Sequence, residues 1–428
     1  MSRLMKCVRL RMRSESFIDH CEERDFPRLR LWDFSDECVG GAGMKRVKLS
    51  DAFDLQMGKT PSRKHLAYWR GGTEPWISIA DLSNCGKYIE QTKENITSDA
   101  VQESNIKIVP KNTVVMSFKL SIGKVAITKR NMYTNEAIMA FHDRGRYEIL
   151  TDYLYYFCKG NNWSAGTNKA VMGLTLNKKT LSEQTMLLPD MPEQEKIVKK
   201  LDALQESISN RQHVLMLLDE LVRSRFVEMF GDPVTNPFGF QKMLLKDVAE
   251  IKIGPFGSLL HQDDYVEGQH ALVNPSHIRD DTIVPDNKLT VSEERYRELE
   301  AYHLRKYDIV LGRRGEMGRA AVVEENGLLC GTGSLFIRVK RKVNPYFLQK
   351  IITYPTFKKY IESKSIGTTM QNLNAKMVSN FEIPIYPLPL QTQFSTFVHQ
   401  VDATKSSVQS QLDSLTTLRA KLMQDFFG

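Results

Sequence analysis

The chain lacks the paired cysteines, the phosphate-binding loop and the long apolar runs that would place it in three common classes. Its cysteines (Cys7, Cys21, Cys38, Cys85, Cys158 and Cys330) form no Cys-x-x-Cys pair and no zinc-like spacing with histidine. They read as reduced thiols rather than as disulfides or metal ligands. No Gly-x-x-x-x-Gly-Lys-Ser/Thr string is present, which argues against an ATP-driven motor. A methyltransferase acting on a flipped adenine needs an Asn-Pro-Pro-aromatic motif and a dinucleotide-type glycine loop. The nearest strings, Asn236-Pro237-Phe238, Asn274-Pro275-Ser276 and Asn344-Pro345-Tyr346, do not fit. The histidines form no cluster, and the carboxylates around Asp190 and Glu193 are better explained by a helix start. No apolar run approaches a membrane span and the N-terminus has no apolar signal core. The chain is therefore expected to stay in the cytoplasm, away from membranes, and to carry no catalytic or metal site of its own.

What is present is charge, unevenly placed. The formal net charge of +8 divides into +8 over residues 44–189, −3 over 190–241 and +3 over 242–388, with residues 1–43 and 389–428 neutral. Positive charge thus sits in two globular stretches, which read as polyanion contacts, and not on the segment between them.

That segment is periodic. From Pro192 to Phe230, apolar residues recur at alternating steps of four and three: Ile197, Leu201, Leu204, Ile208, Leu215, Leu218, Val222 and Met229, with Arg211 and Arg225 interrupting. This is the heptad spacing of a coiled-coil helix. Pro192 suits a first turn, and Gly231-Asp232-Pro233 ends the helix. At 1.5 Å per residue the rod spans roughly 58 Å.

After the rod the pattern starts again. Leu49-Ser50-Asp51-Ala52 and the residues to Gly58 match Leu245-Lys246-Asp247-Val248 and those to Gly254; Val114-Val115-Met116 matches Ile309-Val310-Leu311; Leu176-Asn177 matches Leu373-Asn374. An offset this steady, with the same order of elements, marks an internal duplication. It predicts a second rod, found at Phe394, Phe397, Val401, Thr404, Val408, Gln411, Leu415, Leu418, Leu422 and Asp425. Each seam needs cover, and the nearest cover is the other rod, antiparallel, with Arg211 and Gln411 close together near the middle. The expected fold class is α+β: two duplicated mixed α/β domains separated by a pair of long helices in an antiparallel coiled coil, with pseudo-two-fold symmetry. The expected domains are a dispensable extension over 1–43, with Met44 the functional start, then 44–189, a helical spacer over 190–241, a second domain over 242–388, and a second spacer over 389–428. Within the first domain, Trp76-Ile77-Ser78-Ile79 and Thr113–Phe118 read as strands, Gly71-Gly72 as a turn and Asp152–Phe157 as a buried helix.

Candidate binding groups gather in loops. In the first half Lys59, Arg63 and Lys64 follow a glycine turn, Lys119 and Lys124 flank Ser121-Ile122-Gly123, and Lys169 lies beyond them. In the second half Arg279 is joined by Gly312-Arg313-Arg314-Gly315-Glu316-Met317-Gly318-Arg319, a glycine-hinged loop at the position equivalent to 117–124. Arginine on flexible backbone suits bidentate reading of guanine or clamping of phosphate, while the Thr368 hydroxyl and Gln371 amide can read bases.

The order head, rod, head, rod, with Gly58-Lys59-Thr60-Pro61-Ser62 in the first head and Pro192-Glu193-Gln194-Glu195-Lys196 opening its rod, resembles the specificity subunit of type I restriction–modification systems. Further marks are Trp76 with Asp81-Leu82, Ile122-Gly123-Lys124, Gly367-Thr368-Thr369, and Leu221–Phe226 ahead of Met229-Phe230-Gly231-Asp232-Pro233. The second rod departs from the pattern, with Leu390-Gln391-Thr392-Gln393 in place of Pro192-Glu193-Gln194-Glu195. The resemblance implies that the heads are target recognition domains, each reading one half of a bipartite double-stranded DNA sequence. It implies that the rods set the gap between the halves and dock two methyltransferase subunits. S-adenosylmethionine, ATP and Mg²⁺ would then belong to those methyltransferase subunits and to restriction/motor subunits, with no cofactor in this chain. Two other readings are a self-contained restriction–modification enzyme fragment and a coiled-coil adaptor with no DNA role. The missing methylation motifs oppose the first and the charge confined to the heads opposes the second.

Overall fold

The repeat in the sequence is a repeat of topology. In the computed structural model the described residues are 44–428, except 120, 164–167, 171–172, 257–258, 341 and 366–371, so the expected extension 1–43 lies outside them. The chain forms two compact units, one comprising residues up to Lys200 together with Met423–Gly428, the other Leu201–Leu422.

In the first unit a five-stranded sheet has the order Phe53–Met57, Ile138–Asp143, Val114–Ser117, Val125–Thr128, Tyr88–Ile89. In the second unit a four-stranded sheet runs Ala249–Ile253, Ser334–Val339, Ile309–Gly312, Ala320–Val322. The shared four strands keep the same neighbours, and all their pairings are antiparallel. Both sheets read as continuous apolar runs because their central strands are buried on both faces, Val114–Ser117 and Ile309–Gly312 throughout. A smaller parallel pairing also recurs, Glu74–Ile77 with Tyr133–Thr134 and His270–Val273 with Leu329–Cys330. In each unit the first strand closes on the last, Lys45–Lys48 on Thr185–Leu188 and Lys242–Leu244 on Glu382–Pro384. Two equivalent glycines are required by close approach. A Cβ at Gly58 would collide with the carbonyl oxygens of Thr134 and Asn135, and one at Gly254 with that of Gly331.

One local expectation changes. The strand expected over Trp76–Ile79 is Glu74–Ile77, and Ser78 instead caps a helix, Ile79–Asn84. The Ser78 hydroxyl accepts from the Asp81 N–H while the Asp81 carboxylate accepts from Ser78, a reciprocal cap that overrides the β-branched run. The strand expected near 113–118 is Val114–Ser117, and the helix expected over 152–157 is Thr151–Gly160.

The two long helices are Met191–Phe230 and Leu388–Phe427, each 40 residues, starting 197 residues apart. The second therefore begins where duplication requires despite its altered opening sequence. The reason is one shared residue. Gln194 is fully buried; its amide donates to the carbonyls of Pro189 (3.0 Å) and Glu148 (2.9 Å) and accepts from the Leu150 N–H (2.9 Å). Gln391 repeats this with the carbonyls of Tyr386 (2.7 Å) and Lys342 (3.2 Å) and the Asn344 N–H (2.8 Å). A single amide thus ties each helix start to the loop ahead of the head's own helix, Thr151–Gly160 or Pro345–Thr353.

Within the second unit the helices pair antiparallel. Arg419 donates to the Gln205 side chain (2.8 Å) and Lys405 pairs with Asp219 (2.7 Å), so a step forward on one helix is an equal step back on the other. This register sets His213–Val214 level with Ser410–Gln411, which are each other's counterparts in the duplication, so the local two-fold of the helix pair passes there. Ile197, Leu201, Leu204 and Ile208 are buried, while Leu215, Leu218 and Val222 are half-buried. On the second helix Val401 is buried and Phe397, Val408, Leu415, Leu418 and Leu422 are half-buried. Thr404, Gln411 and Asp425, expected on the seam, are exposed. The covered stripe instead takes Val398, Lys405 and Leu412, every second seam position lying one residue further along. The expected approach of Arg211 to Gln411 gives no bond: Arg211 lies level with Asp413, and among the described residues its buried Nε has no partner.

Aromatic rings close both units. Phe230 packs on Phe347, Tyr386 and Phe394 at 4.7, 4.8 and 5.5 Å in the second unit. Its counterpart Phe427 packs on Tyr153 and Phe157 at 5.5 and 6.3 Å in the first.

Candidate nucleic-acid interface

Strand ends decide where the basic residues stand. In the first unit the loops after Phe53–Met57 and after Val114–Ser117 leave the same end of the sheet, because those strands both run antiparallel to Ile138–Asp143 between them. The first loop carries Lys59, Arg63 and Lys64, the second Lys119 and Lys124. In the second unit the loop Arg313–Arg319 leaves the matching end of Ile309–Gly312.

The candidates then separate into free and engaged cations. Arg63 makes a bidentate pair with Glu94 at 2.6 and 2.9 Å and lies 3.7 Å from the ring centre of Trp69. This pairing lowers the Glu94 carboxyl below its ordinary range and raises the Arg63 guanidinium. Trp69 sits edge-on to Trp76 at 5.1 Å, and the Trp76 indole donates to the Lys59 carbonyl (3.1 Å). Arg63 thus builds the loop, and Lys59, Lys64 and Arg70 are the exposed cations that loop presents. Arg319 plays the matching part in the second unit, bonded to Glu316 and to the Pro275 carbonyl (3.3 Å). Arg313 is half-buried and donates to the Asn372 side chain (3.2 Å); burial and the adjacent Arg314 lower its pKa. Arg314 is exposed, with a backbone bridge to Asn372 and no ion pair among the described residues.

Lys119 is half-buried with its ammonium 5.1 Å from the Phe118 ring, and Lys124 is exposed beyond Gly123, whose φ of +83° makes the turn. Lys169 lies on Asn168–Ala170, paired with Gly173–Thr175 opposite Leu174. Arg279 is exposed at the hairpin Ile278–Arg279/Thr282–Ile283, its Nε donating to the Ser276 carbonyl (3.3 Å). Thr368 and Gln371 lie outside the described residues. Sequence reasoning missed Arg70, exposed Leu66 and the His65–Tyr68 stack at 4.1 Å. The signal was the interleaving of aromatic and basic residues over 63–70. Among the described residues no cluster of histidine, cysteine or carboxylate could hold a metal, and no helix is long and apolar enough to cross a membrane.

Two sheets of one topology, each with a basic loop at the same end, and two helices paired antiparallel define a duplicated polyanion-binding scaffold. The family described as type I restriction modification DNA specificity domain matches residues 42–215 and again 237–417. The chain belongs to that family. It is 25% identical over 399 residues to the type I restriction enzyme MjaIX specificity subunit of Methanocaldococcus jannaschii, covering 88% of this chain and 90% of that one. It is 28% identical over 164 residues to the EcoR124I/EcoR124II specificity subunit of Escherichia coli, 36% and 39% of the two chains. Among solved structures the fold is similar to one described as the basis of complex assembly and conformational transition of the type I R-M system. The TM-score there is 0.59 at 16% identity, covering 90% of this chain and 98% of that one. It is also similar to the type I S subunit from M. genitalium, with a TM-score of 0.55 at 16% identity over 92% and 98% of the chains.

Proposed function

We propose that the chain is the DNA-binding specificity subunit of a type I restriction–modification complex, reading a bipartite double-stranded target with one head per half-site. One observation carries this reading: the basic loop recurs at the same end of the same sheet in both units, and the two versions differ in side chains. Lys119 and Lys124 in one stand against Arg314 and Arg319 in the other, so the same scaffold presents two different surfaces to base edges. We take 44–189 and 242–388 as the recognition domains, with the long helices as spacers. The chain contributes no chemistry; methyl transfer with S-adenosylmethionine, and translocation and cleavage with ATP and Mg²⁺, belong to methyltransferase and restriction/motor subunits. The helices also offer a docking face, since Met216 and Leu217 are 67% and 50% exposed with no cover among the described residues.

Binding of the purified chain to duplex DNA, titrated with salt, tests the reading. Affinity is expected to fall steeply with salt for any duplex, with a residual preference for a split sequence found by mapping adenine methylation in the host. Binding indifferent to salt, or methyl transfer by the chain alone, overturns it.

A further inference from the structure

The duplication also copies a cavity, and the two copies have diverged in charge. In the second unit a cavity of about 520 Å³ is lined by Arg305, Lys306, Tyr307, Asp308, Arg338 and Tyr346. In the first, a cavity of about 260 Å³ is lined by Asn112, Thr113, His142, Asp143 and Thr151. These are the same place in the fold. Thr113 and Asp308 immediately precede the equivalent strands Val114–Ser117 and Ile309–Gly312, and His142 and Arg338 hold equivalent positions on Ile138–Asp143 and Ser334–Val339. Thr151 and Pro345 both open the head's own helix.

The linings differ in kind. Three cations and one carboxylate line the second-unit cavity. Asp308, 2% exposed, is held by Arg338 at 2.7 and 2.9 Å and by the Arg305 N–H at 2.8 Å, which neutralises the floor. The Arg305 and Lys306 side chains remain: both are exposed and neither has an ion pair among the described residues. Tyr307 and Tyr346 form an apolar wall, edge to face at 6.1 Å, with Tyr346 donating to Glu324 (2.8 Å) and packing on His399 of the second long helix at 4.3 Å. Around the first-unit cavity Lys111 keeps the position of Lys306, but Pro110 stands for Arg305, Asp143 is the charge in the lining, and His142, which burial holds toward the neutral form, stands for Arg338.

We propose that the second-unit cavity is a docking site for an acidic segment of a protein partner, its carboxylates meeting Arg305 and Lys306 and its apolar side chains meeting Tyr307 and Tyr346, and that the first-unit cavity does not take this segment. A protein is favoured over DNA by position. The cavity lies at the start of Ile309–Gly312, whereas the basic loop leaves its end, roughly 10 Å away at the rise of a strand. The cavity also abuts the long helix through His399 rather than the reading loop. The two units share a topology, yet they would receive partners unequally. This inference rests on the proposed function, because it presumes an assembled complex.

The test uses the full chain co-purified with its methyltransferase subunits and a duplex carrying the target, with a photo-crosslinking residue at Tyr307. A crosslink to an acidic stretch of a protein subunit is expected. Arg305→Glu with Lys306→Glu should cut its yield by about tenfold, the loss of one or two charge-assisted contacts, while Lys111→Glu in the first unit leaves it unchanged. Arg305→Gln with Lys306→Gln should give the same direction should the double reversal misfold. Crosslinking to DNA alone, to nothing, or at a yield untouched by both double variants overturns the proposal. Salt-dependent DNA binding by the same preparation separates that failure from failure of the specificity-subunit reading.

Discussion

Arg63 and Arg314 look alike in sequence, each an arginine in a basic loop, and the fold gives them opposite work. Arg63 is tied to Glu94, 31 residues away, and lies over Trp69. Arg314 has no acidic partner among the described residues and faces solvent. Arg63→Ala should therefore lower stability, by about 1 kcal/mol since the pair is half-exposed, and weaken DNA binding only through the loop it holds. Arg314→Ala should leave the urea midpoint unchanged and weaken recognition of one half-site, by about 1–3 kcal/mol where it reads a base. Urea denaturation beside binding to duplexes altered in one half-site separates the two; equal loss on every duplex would make Arg314 a phosphate contact. The sequence marked the loops but could not sort their arginines, because the sorting partner lies far along the chain.

Elements were more legible than residues. The alternation of four and three announced both long helices, and the offset near 196 announced their heads, because periodicity and repetition are local properties of a chain. The phase of the second seam was less so. Phe397 and Val398, or Gln411 and Leu412, both satisfy a heptad within one residue, and only the partner helix chooses between them. The altered opening of the second helix, Leu390-Gln391-Thr392-Gln393, hid a shared device, since only the glutamine at the 197-residue spacing is used. Gln391→Ala or Gln194→Ala should cost about 1–3 kcal/mol, because each strips hydrogen bonds from one buried carbonyl, one part-buried carbonyl and one N–H. Gln391→Glu, which sets a buried carboxylate against the same two carbonyl oxygens, should cost at least as much. Chemical denaturation checks both, and a cost below 1 kcal/mol would show the latch to be incidental.

At the scale of the whole molecule the duplication predicts a ruler whose two edges must change together. Since the helices pair antiparallel, seven residues added to the first alone shift Asp219 past Lys405 or Gln205 past Arg419, depending on the insertion point. Added at level positions in both, near Val214 and Ser410, they keep every pair in register. Seven residues add roughly 10 Å, about three base pairs of B-form DNA. The double insertion is expected to give a complex that methylates a site whose spacer is about three base pairs longer, as read by adenine methylation mapping. The single insertion is expected to lower stability and abolish assembly. A spacer unchanged by the double insertion would remove the ruler from the proposed function.

The sequence by itself determined the architecture. Heptads, a duplication and charge confined to the heads are patterns that survive without coordinates, because they record helical pitch, copied topology and the sign of the partner's charge. The tertiary structure decided which charges are available. Arg63, Arg319 and Arg338 are each satisfied by a carboxylate, while Arg314, Arg305 and Lys306 have no ion pair among the described residues. It also placed those last two in a cavity that the other half of the molecule copies with fewer cations. Whether a cation is engaged depends on what the fold sets within a few ångströms of it, and that distance has no counterpart in the spacing along the chain.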